Sequence, residues 1–252
     1  MDVYWFEQSE ADIPREDDWL AAAEKDRCSA LRVPKRRADW RLGRWTAKRA
    51  IALRLKMPGD LRALASIEIR PASSGAPEVF IASQAAPTRI SISHCDGNAL
   101  CAIASVDAPI GCDLEHVEAR SDAFLSDYFT GEEQARVAQA AVGDRTALVT
   151  LLWSAKESTL KALCEGLRLD TRSVIISFPE PIGRGHQAEG TRLVNSDGAA
   201  LVSDSASWRP LEVRCRESES LQGWWRLSDG FVRTLVAPQA VNPPIALRIG
   251  PE

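Results

Sequence analysis

Two acidic segments about forty positions apart hold the side chains best suited to chemistry. The first, Gly111-Cys112-Asp113-Leu114-Glu115, follows Ile110 and reads as a strand end, with Asp113 and Glu115 on one face and Cys112 and Leu114 on the other. Two carboxylates in one small volume repel each other unless a proton or a cation relieves them. Hard oxygen ligands of this kind suit magnesium, which keeps several waters and takes substrate phosphates as further ligands. The second segment, Trp153-Ser154-Ala155-Lys156-Glu157-Ser158-Thr159-Leu160-Lys161, lies in a run without Gly or Pro from Leu148 to Glu165. It reads as a helix on which Glu157 and Lys161 project together one turn apart, with Leu160 and Leu163 on the buried side. A third carboxylate is thus followed by a cation.

Each segment alone has an ordinary reading. An Asp-x-Glu on a strand is more often a solvated edge than a metal site, and a Glu four residues before a Lys is usually a surface ion pair. A third segment, Ile90-Ser91-Ile92-Ser93-His94-Cys95-Asp96-Gly97, adds an alternating strand that ends in a Ser-His pair and a turn. A fourth is basic. Arg37, Arg41, Arg44 and Lys48 fall at i, i+4, i+7 and i+11, within one stripe of a helix and opposite Leu42, Trp45 and Leu55. By itself that stripe reads as a solvated face.

Taken in order, Ser93-His94, Gly111-x-Asp113-x-Glu115 and Trp153-Ser154-x-Lys156-Glu157-Ser158-x-x-Lys161 resemble the 4′-phosphopantetheinyl transferases of the larger, two-lobed class. Weaker parts of the pattern appear in the expected order: Gly75-x-Pro77, Tyr128-Phe129-Thr130-x-x-Glu133 and Gly166-Leu167. The resemblance runs from about Arg36 to Leu169. One departure is Cys112, where the family often has Ile or Val; it faces away from the carboxylates.

The resemblance implies an enzyme that moves the phosphopantetheine arm of coenzyme A onto a serine of an apo acyl or peptidyl carrier protein, releasing 3′,5′-ADP. It implies two related lobes about a pseudo-twofold axis, with the active site in the cleft between them. Asp113, Glu115 and Glu157 are then the magnesium ligands. Lys161 contacts the phosphate under attack and Lys156 another phosphate oxygen, while Ser93 and His94 hold the 3′-phosphate. From the basic helix, Lys48 contacts coenzyme A, with Arg44 second. Gly75 and Pro77 shape the adenine side of the pocket. The base that takes the serine proton is Glu157, a metal-bound water or Glu133, with Glu157 favoured. His116 lies on the strand face opposite Asp113 and Glu115 and reads as structural or exposed. The carrier, in this family an acidic helical bundle, would meet the apolar and basic residues around Phe124 to Phe129 and Arg136.

Two rival functions use parts of the same set. A magnesium-dependent phosphatase or nucleotidyl transferase would use clustered carboxylates and a basic stripe, but has no need of the Trp153 to Glu157 helix together with Ser93-His94. A noncatalytic coenzyme A binding protein is favoured only if the metal ligands are missing, and all three proposed ligands are present.

The elements that must position these residues read as an α+β arrangement. A strand opens near Trp5 to Phe6, helices follow at Asp17 to Leu31 and Arg36 to Lys56, and strands at Ile67 to Arg70, Val79 to Ala82, Thr88 to Ser93 and Leu100 to Ser105. After the Pro109 turn come a strand at Ile110 to Glu115 and helices at Ala123 to Phe129, Gly131 to Ala141 and Arg145 to Cys164. Strands then follow at Val174 to Phe178, Leu211 to Arg216, Gly223 to Ser228 and Phe231 to Ala237, the last two joined by a Ser228-Asp229-Gly230 turn. The expected lobes are 1–109 and 110–252, with Pro181 to Ala206 an irregular excursion.

The 252 residues are 45% hydrophobic, enough to bury a sizeable core. A net charge of -4 gives no global attraction to nucleic acid. Six cysteines show no Cys-x-x-Cys pair and no zinc spacing. The acidic N-terminus lacks a long apolar run, so neither a signal peptide nor a membrane span is expected, and the protein reads as a cytoplasmic monomer with reduced thiols.

Overall fold

Asp96-Gly97 and Asp229-Gly230 close two tight hairpins, with φ of 44 and 73° in the first and 55 and 74° in the second. Two successive left-handed residues match the twist of the flanking strands, and Asp-Gly adopts them at low cost. The first turn joins β5 (Thr88–Cys95) to β6 (Asn98–Ser105), and the second joins β10 (Leu221–Ser228) to β11 (Phe231–Ala237). The computed structural model describes residues 2–106, 108–165, 168–179, 207–215, 221–238 and 242–249. Gly166-Leu167, Arg216 and Pro181 to Ala206 lie outside the described residues.

Each hairpin anchors a sheet. In the first, β1 (Tyr4–Ser9) pairs antiparallel with β6, giving the order β12-β1-β6-β5, where β12 is Ile245–Ala246. Beside it lies a ribbon of β2 (Ile67–Pro71), β3 (Pro77–Ile81) and β4 (Gln84–Ala85), with β3 against β5. The second sheet has the order β7-β11-β10-β9-β8, with β7 at Gly111–His116, β8 at Val174–Ser177 and β9 at Arg209–Cys215. Helices and sheets are mixed as an α+β arrangement requires.

A long helix packs on each sheet. α2 (Pro34–Leu55) has Pro at its first turn, where a missing N–H costs nothing, and ends at Lys56 in the left-handed region. It follows α1 (Ala22–Ala30) and precedes α3 (Leu61–Ala65). α6 (Val142–Ala162) follows α4 (Asp122–Tyr128) and α5 (Gly131–Gln139). Leu42, Ala47 and Ile51 of α2 are buried, the last two in one core with Trp19, Trp45 and Ile67; Leu148, Leu152 and Leu160 of α6 join Val174, Val213 and Val232 in another. A third cluster welds the sheets through Leu100 and Ala102 of β6, Cys112 and Leu114 of β7, and Leu235 of β11.

Most expected elements are present with ends shifted by a few residues. The helix expected from Asp17 begins only at Ala22, because Trp19 and Leu20 turn inward into the core. α3 is five residues long, too short to carry a periodic signal, and starts where Asp60 accepts a bond from the Ala63 N–H. β12 brings the far end of the described chain back beside β1 in parallel. Among the described residues no helix is long and apolar enough to cross a membrane. No disulfide joins the six cysteines.

Candidate active site

Strand β7 and helix α6 touch because Gly111 has no side chain. A Cβ there would stand 1.7 Å from the Ser158 carbonyl oxygen and 2.7 Å from the Ala162 nitrogen, so the strand carrying Asp113 lies directly on the helix carrying Glu157 and Lys161. Two further residues of the helix motif fasten this contact. Ser154 Oγ and Ser158 Oγ lie 2.9 and 2.5 Å from Thr234 Oγ1 on β11, inside the protein. Ser154 and Ser158 therefore hold the helix rather than touch a substrate, and Thr234 is a partner that no sequence pattern singled out.

At this contact the three motifs meet. Lys161 Nζ donates to Asp113 Oδ1 at 2.7 Å, to the Cys112 carbonyl at 3.1 Å and to Ser93 Oγ at 3.2 Å, while Ser93 donates to the same Asp113 oxygen at 2.8 Å. Burial works against the Lys161 charge, but Asp113 and its neighbours outweigh it and hold the ammonium above its ordinary value. Asp113 is almost closed to solvent, at 4% exposure, and its second oxygen, Oδ2, has no partner. A buried carboxylate oxygen without a donor is costly and marks a place for a cation.

Glu115 and Glu157 flank Asp113. Glu115 Oε1 accepts from Trp153 Nε1 and Oε2 from Arg120 Nη2, each at 3.2 Å. Burial first, then the Asp113 charge, lifts the Glu115 carboxyl to about 7, against the pull of Arg120, the Trp153 bond and Lys161. Burial likewise raises Glu157; Lys161 opposes the rise and Asp113 adds to it. Among the described residues, no three His, Cys, Asp or Glu side chains are gathered tightly enough as they stand to hold a metal ion. The expected trio is assembled on neighbouring elements, but Lys161 holds Asp113 and Arg120 holds Glu115. The donors fit a hard divalent cation: all are carboxylate oxygens, one is orphaned, and two carboxyls are destabilised as anions by burial.

Lys48 and Lys156 are corrections. Both were expected on coenzyme A, and both are fully buried. Lys48 Nζ is 2.5 Å from Glu24 Oε2 and donates to the Trp19 and Leu64 carbonyls. Lys156 Nζ is 2.9 Å from Glu133 Oε2 and donates to the Thr171 and Val174 carbonyls. Burial lowers both ammonium pKa values against the pull of the paired glutamate. Glu133 is equally closed off, at 1% exposure, and caps α5 through the Thr130 N–H, so it is no base for a substrate. Lys156 and Lys161, five residues apart, point to different sides of α6, one into the core and one toward a cleft, whereas Arg44 and Lys48 share one side of α2 and differ in position along it, Arg44 reaching the cleft and Lys48 the core.

That cleft, about 620 Å³, is lined by Arg44, Gly75, Pro77, Ser91, Ile92 and Lys161 among others. Arg44 lies over the Trp40 ring, with Glu24 at 3.7 Å, and keeps part of its side chain exposed. Of the predicted stripe, Arg41 is tied to Asp17 and to the Pro14 and Arg15 carbonyls. The Ser-His pair divides, as successive strand residues must. Ser93 joins the acidic group, and exposed His94 stands near Gly43, one residue before Arg44. His116 is exposed and packs edge-on against Phe231. The patch expected to meet a carrier is less apolar than the sequence suggests: Leu125 and Phe129 are buried, Arg136 stacks over Phe178, and Asp122, Ser126 and Asp127 face outward.

Residues 109–194 match the family model described as the 4′-phosphopantetheinyl transferase superfamily. That span holds the Asp-x-Glu strand and the Lys-Glu helix, and over it the chain is similar to this superfamily. One similar solved structure is Helicobacter pylori holo-[acyl-carrier-protein] synthase in complex with coenzyme A, 18% identical, covering 41% of this chain and 98% of that chain, with a TM-score of 0.32. No curated protein matches this chain.

Proposed function

We propose that the chain moves the 4′-phosphopantetheine arm of coenzyme A to a serine of an apo acyl or peptidyl carrier protein, releasing 3′,5′-ADP. The observation that carries this reading is the bonding of Lys161 to both Asp113 and Ser93 beside a cleft lined by Arg44, Gly75 and Pro77. Three segments distant in sequence meet there, which supports a transfer that needs a pyrophosphate and an acceptor hydroxyl brought together.

Arg44 faces the cleft as the cation for a nucleotide phosphate, with exposed His94 beside the same helix. Lys161 exchanges its longest bond, to Ser93, for an oxygen of the phosphate under attack. Glu157, raised by burial, is suited to receive the serine proton. Asp113, Glu115 and Glu157 would hold magnesium, which when bound neutralises charge on the leaving pyrophosphate.

We also read the molecule as the two-lobed class, divided near residue 109. Support comes from corresponding parts: β1-β6-β5 and β7-β11-β10 share an order, each contains an Asp-Gly hairpin, and each half carries a buried Lys-Glu pair. In both, the glutamate also accepts from a strand N–H, Ile69 for Glu24 and Ile176 for Glu133.

Mass spectrometry of a panel of apo carrier proteins, incubated with the protein, coenzyme A and magnesium, tests the reading. A gain of the phosphopantetheine mass is expected. Saturable coenzyme A binding with no gain on any carrier would turn the reading toward a noncatalytic binding protein.

A further inference from the structure

We propose that Arg120 is an internal counter-cation for the acidic site: it occupies Glu115 when no divalent ion is bound and must release that carboxylate before Glu115 can ligate one. The inference rests on the metal site proposed above.

Both Glu115 oxygens are engaged, and the two partners differ in kind. Trp153, which donates to Oε1, is fixed by edge contacts with Phe124 and Tyr128 at ring separations of 4.9 and 5.1 Å. Arg120 is the movable partner. Its side chain keeps 24% exposure, and its Nη2 lies 3.2 Å from Glu115 Oε2 and 2.9 Å from Glu118 Oε1. Glu118 is 55% exposed and already touches the guanidinium, so it can keep hold of it when Glu115 lets go. The guanidinium also lies 5.2 Å over the Phe124 ring, and its Nε–H has no acceptor. Release toward Glu118 therefore needs a rotation about one side chain and no backbone change.

The remaining donors explain why release matters. Asp113 gives one oxygen to Lys161 and Ser93 and keeps the other without a partner. With Arg120 in place, Asp113 Oδ2 is without a donor, whereas each Glu115 oxygen already accepts a bond and its charge is offset by the guanidinium. A singly charged ion gains too little to displace a guanidinium from a half-buried carboxylate, whereas a doubly charged ion gains about twice the Coulomb energy at the same distance. Arg120 thus lowers divalent affinity in exchange for a neutralised resting site.

Titration of the purified protein with Mn²⁺, free ion being read by electron paramagnetic resonance, tests this without any turnover. Arg120→Ala should tighten Mn²⁺ binding roughly three- to tenfold, the range expected for a half-buried ion pair. Glu118→Gln, which leaves Arg120 on Glu115 alone, should weaken it about twofold. Opposite signs from two neighbouring variants are not produced by a general loosening of the loop. Unchanged or weaker binding by a folded Arg120→Ala overturns the inference while leaving the metal site intact. Absence of saturable Mn²⁺ binding by the wild type overturns both, whereas binding that Asp113→Asn abolishes and Arg120→Ala tightens upholds both.

Discussion

Lys156 bonds Glu133 at 2.9 Å with both side chains closed to solvent, and Lys48 bonds Glu24 in the same way in the other half of the molecule. Each lysine links a long helix to the capping glutamate of a shorter one and to carbonyls of neighbouring segments. The most conspicuous cation of the Trp153 to Lys161 motif is therefore a strut.

Removing one partner of such a pair strands a buried charge. Lys48→Met and Lys156→Met should each lose about 3–5 kcal/mol of stability. Urea unfolding midpoints measure the loss, and a midpoint within error of the wild type would show the pairs to be dispensable.

Arg44 and His94 should instead report on the nucleotide. Arg44→Ala and His94→Ala are expected to stay folded and to weaken coenzyme A about tenfold, the scale of a charged hydrogen bond. Calorimetry with coenzyme A and 3′-dephospho-coenzyme A compares the two ligands. Equal losses for both would move these residues away from the 3′-phosphate.

At Gly111 the geometry leaves no room. Gly111→Ala puts a Cβ onto the Ser158 carbonyl, a backbone atom that cannot rotate aside, so β7 must lift from α6. A loss of about 3 kcal/mol or more is expected, comparable to severe overpacking. Activity should fall further than stability, since Asp113 and Lys161 separate with the strand. Crystals of the variant with an unmoved strand would contradict this.

Glu157→Ala and Asp113→Asn test the chemistry. Each should lower carrier modification by about a hundred- to a thousandfold, as loss of a central electrostatic group does. Circular dichroism should be unchanged. Near wild-type transfer by either variant at limiting magnesium would remove it from the assigned role.

Glu115 should make the metal-free protein sensitive to pH. Its carboxyl is raised from an ordinary 4.5 to about 7, so the folded chain holds this proton more tightly than the unfolded one. Its contribution to stability is full below the unfolded value, declines as pH rises toward 7 and is lost above it. Glu115→Gln has no charge to bury. It should match the wild type near pH 4 and exceed it by about 1–2 kcal/mol at pH 8, after allowing for partial exposure. Guanidinium melts at the two pH values check the difference, which should vanish if the carboxyl titrates normally.

The sequence by itself determined the local pieces. Alternation in Ile90 to Cys95, the two Asp-Gly turns and the uninterrupted run around Trp153 specified strands, hairpins and helix, because each follows from side-chain period and backbone preference over a few residues. It also indicated that Asp113, Glu115, Glu157 and Lys161 belong together. Only the tertiary structure decided which face of each element meets solvent. Arg44 and Lys48 share a predicted stripe, yet four residues of helix carry one to a cleft and the other into a core behind Trp19. Lys156 and Lys161, five residues apart, part instead by pointing to different sides of α6. Arg120 and Thr234 had no signal at all, since a lone arginine in a loop and a threonine in a strand acquire their roles only from what the fold sets opposite them. Burial is a property of the partner surface, and no spacing along one segment contains it.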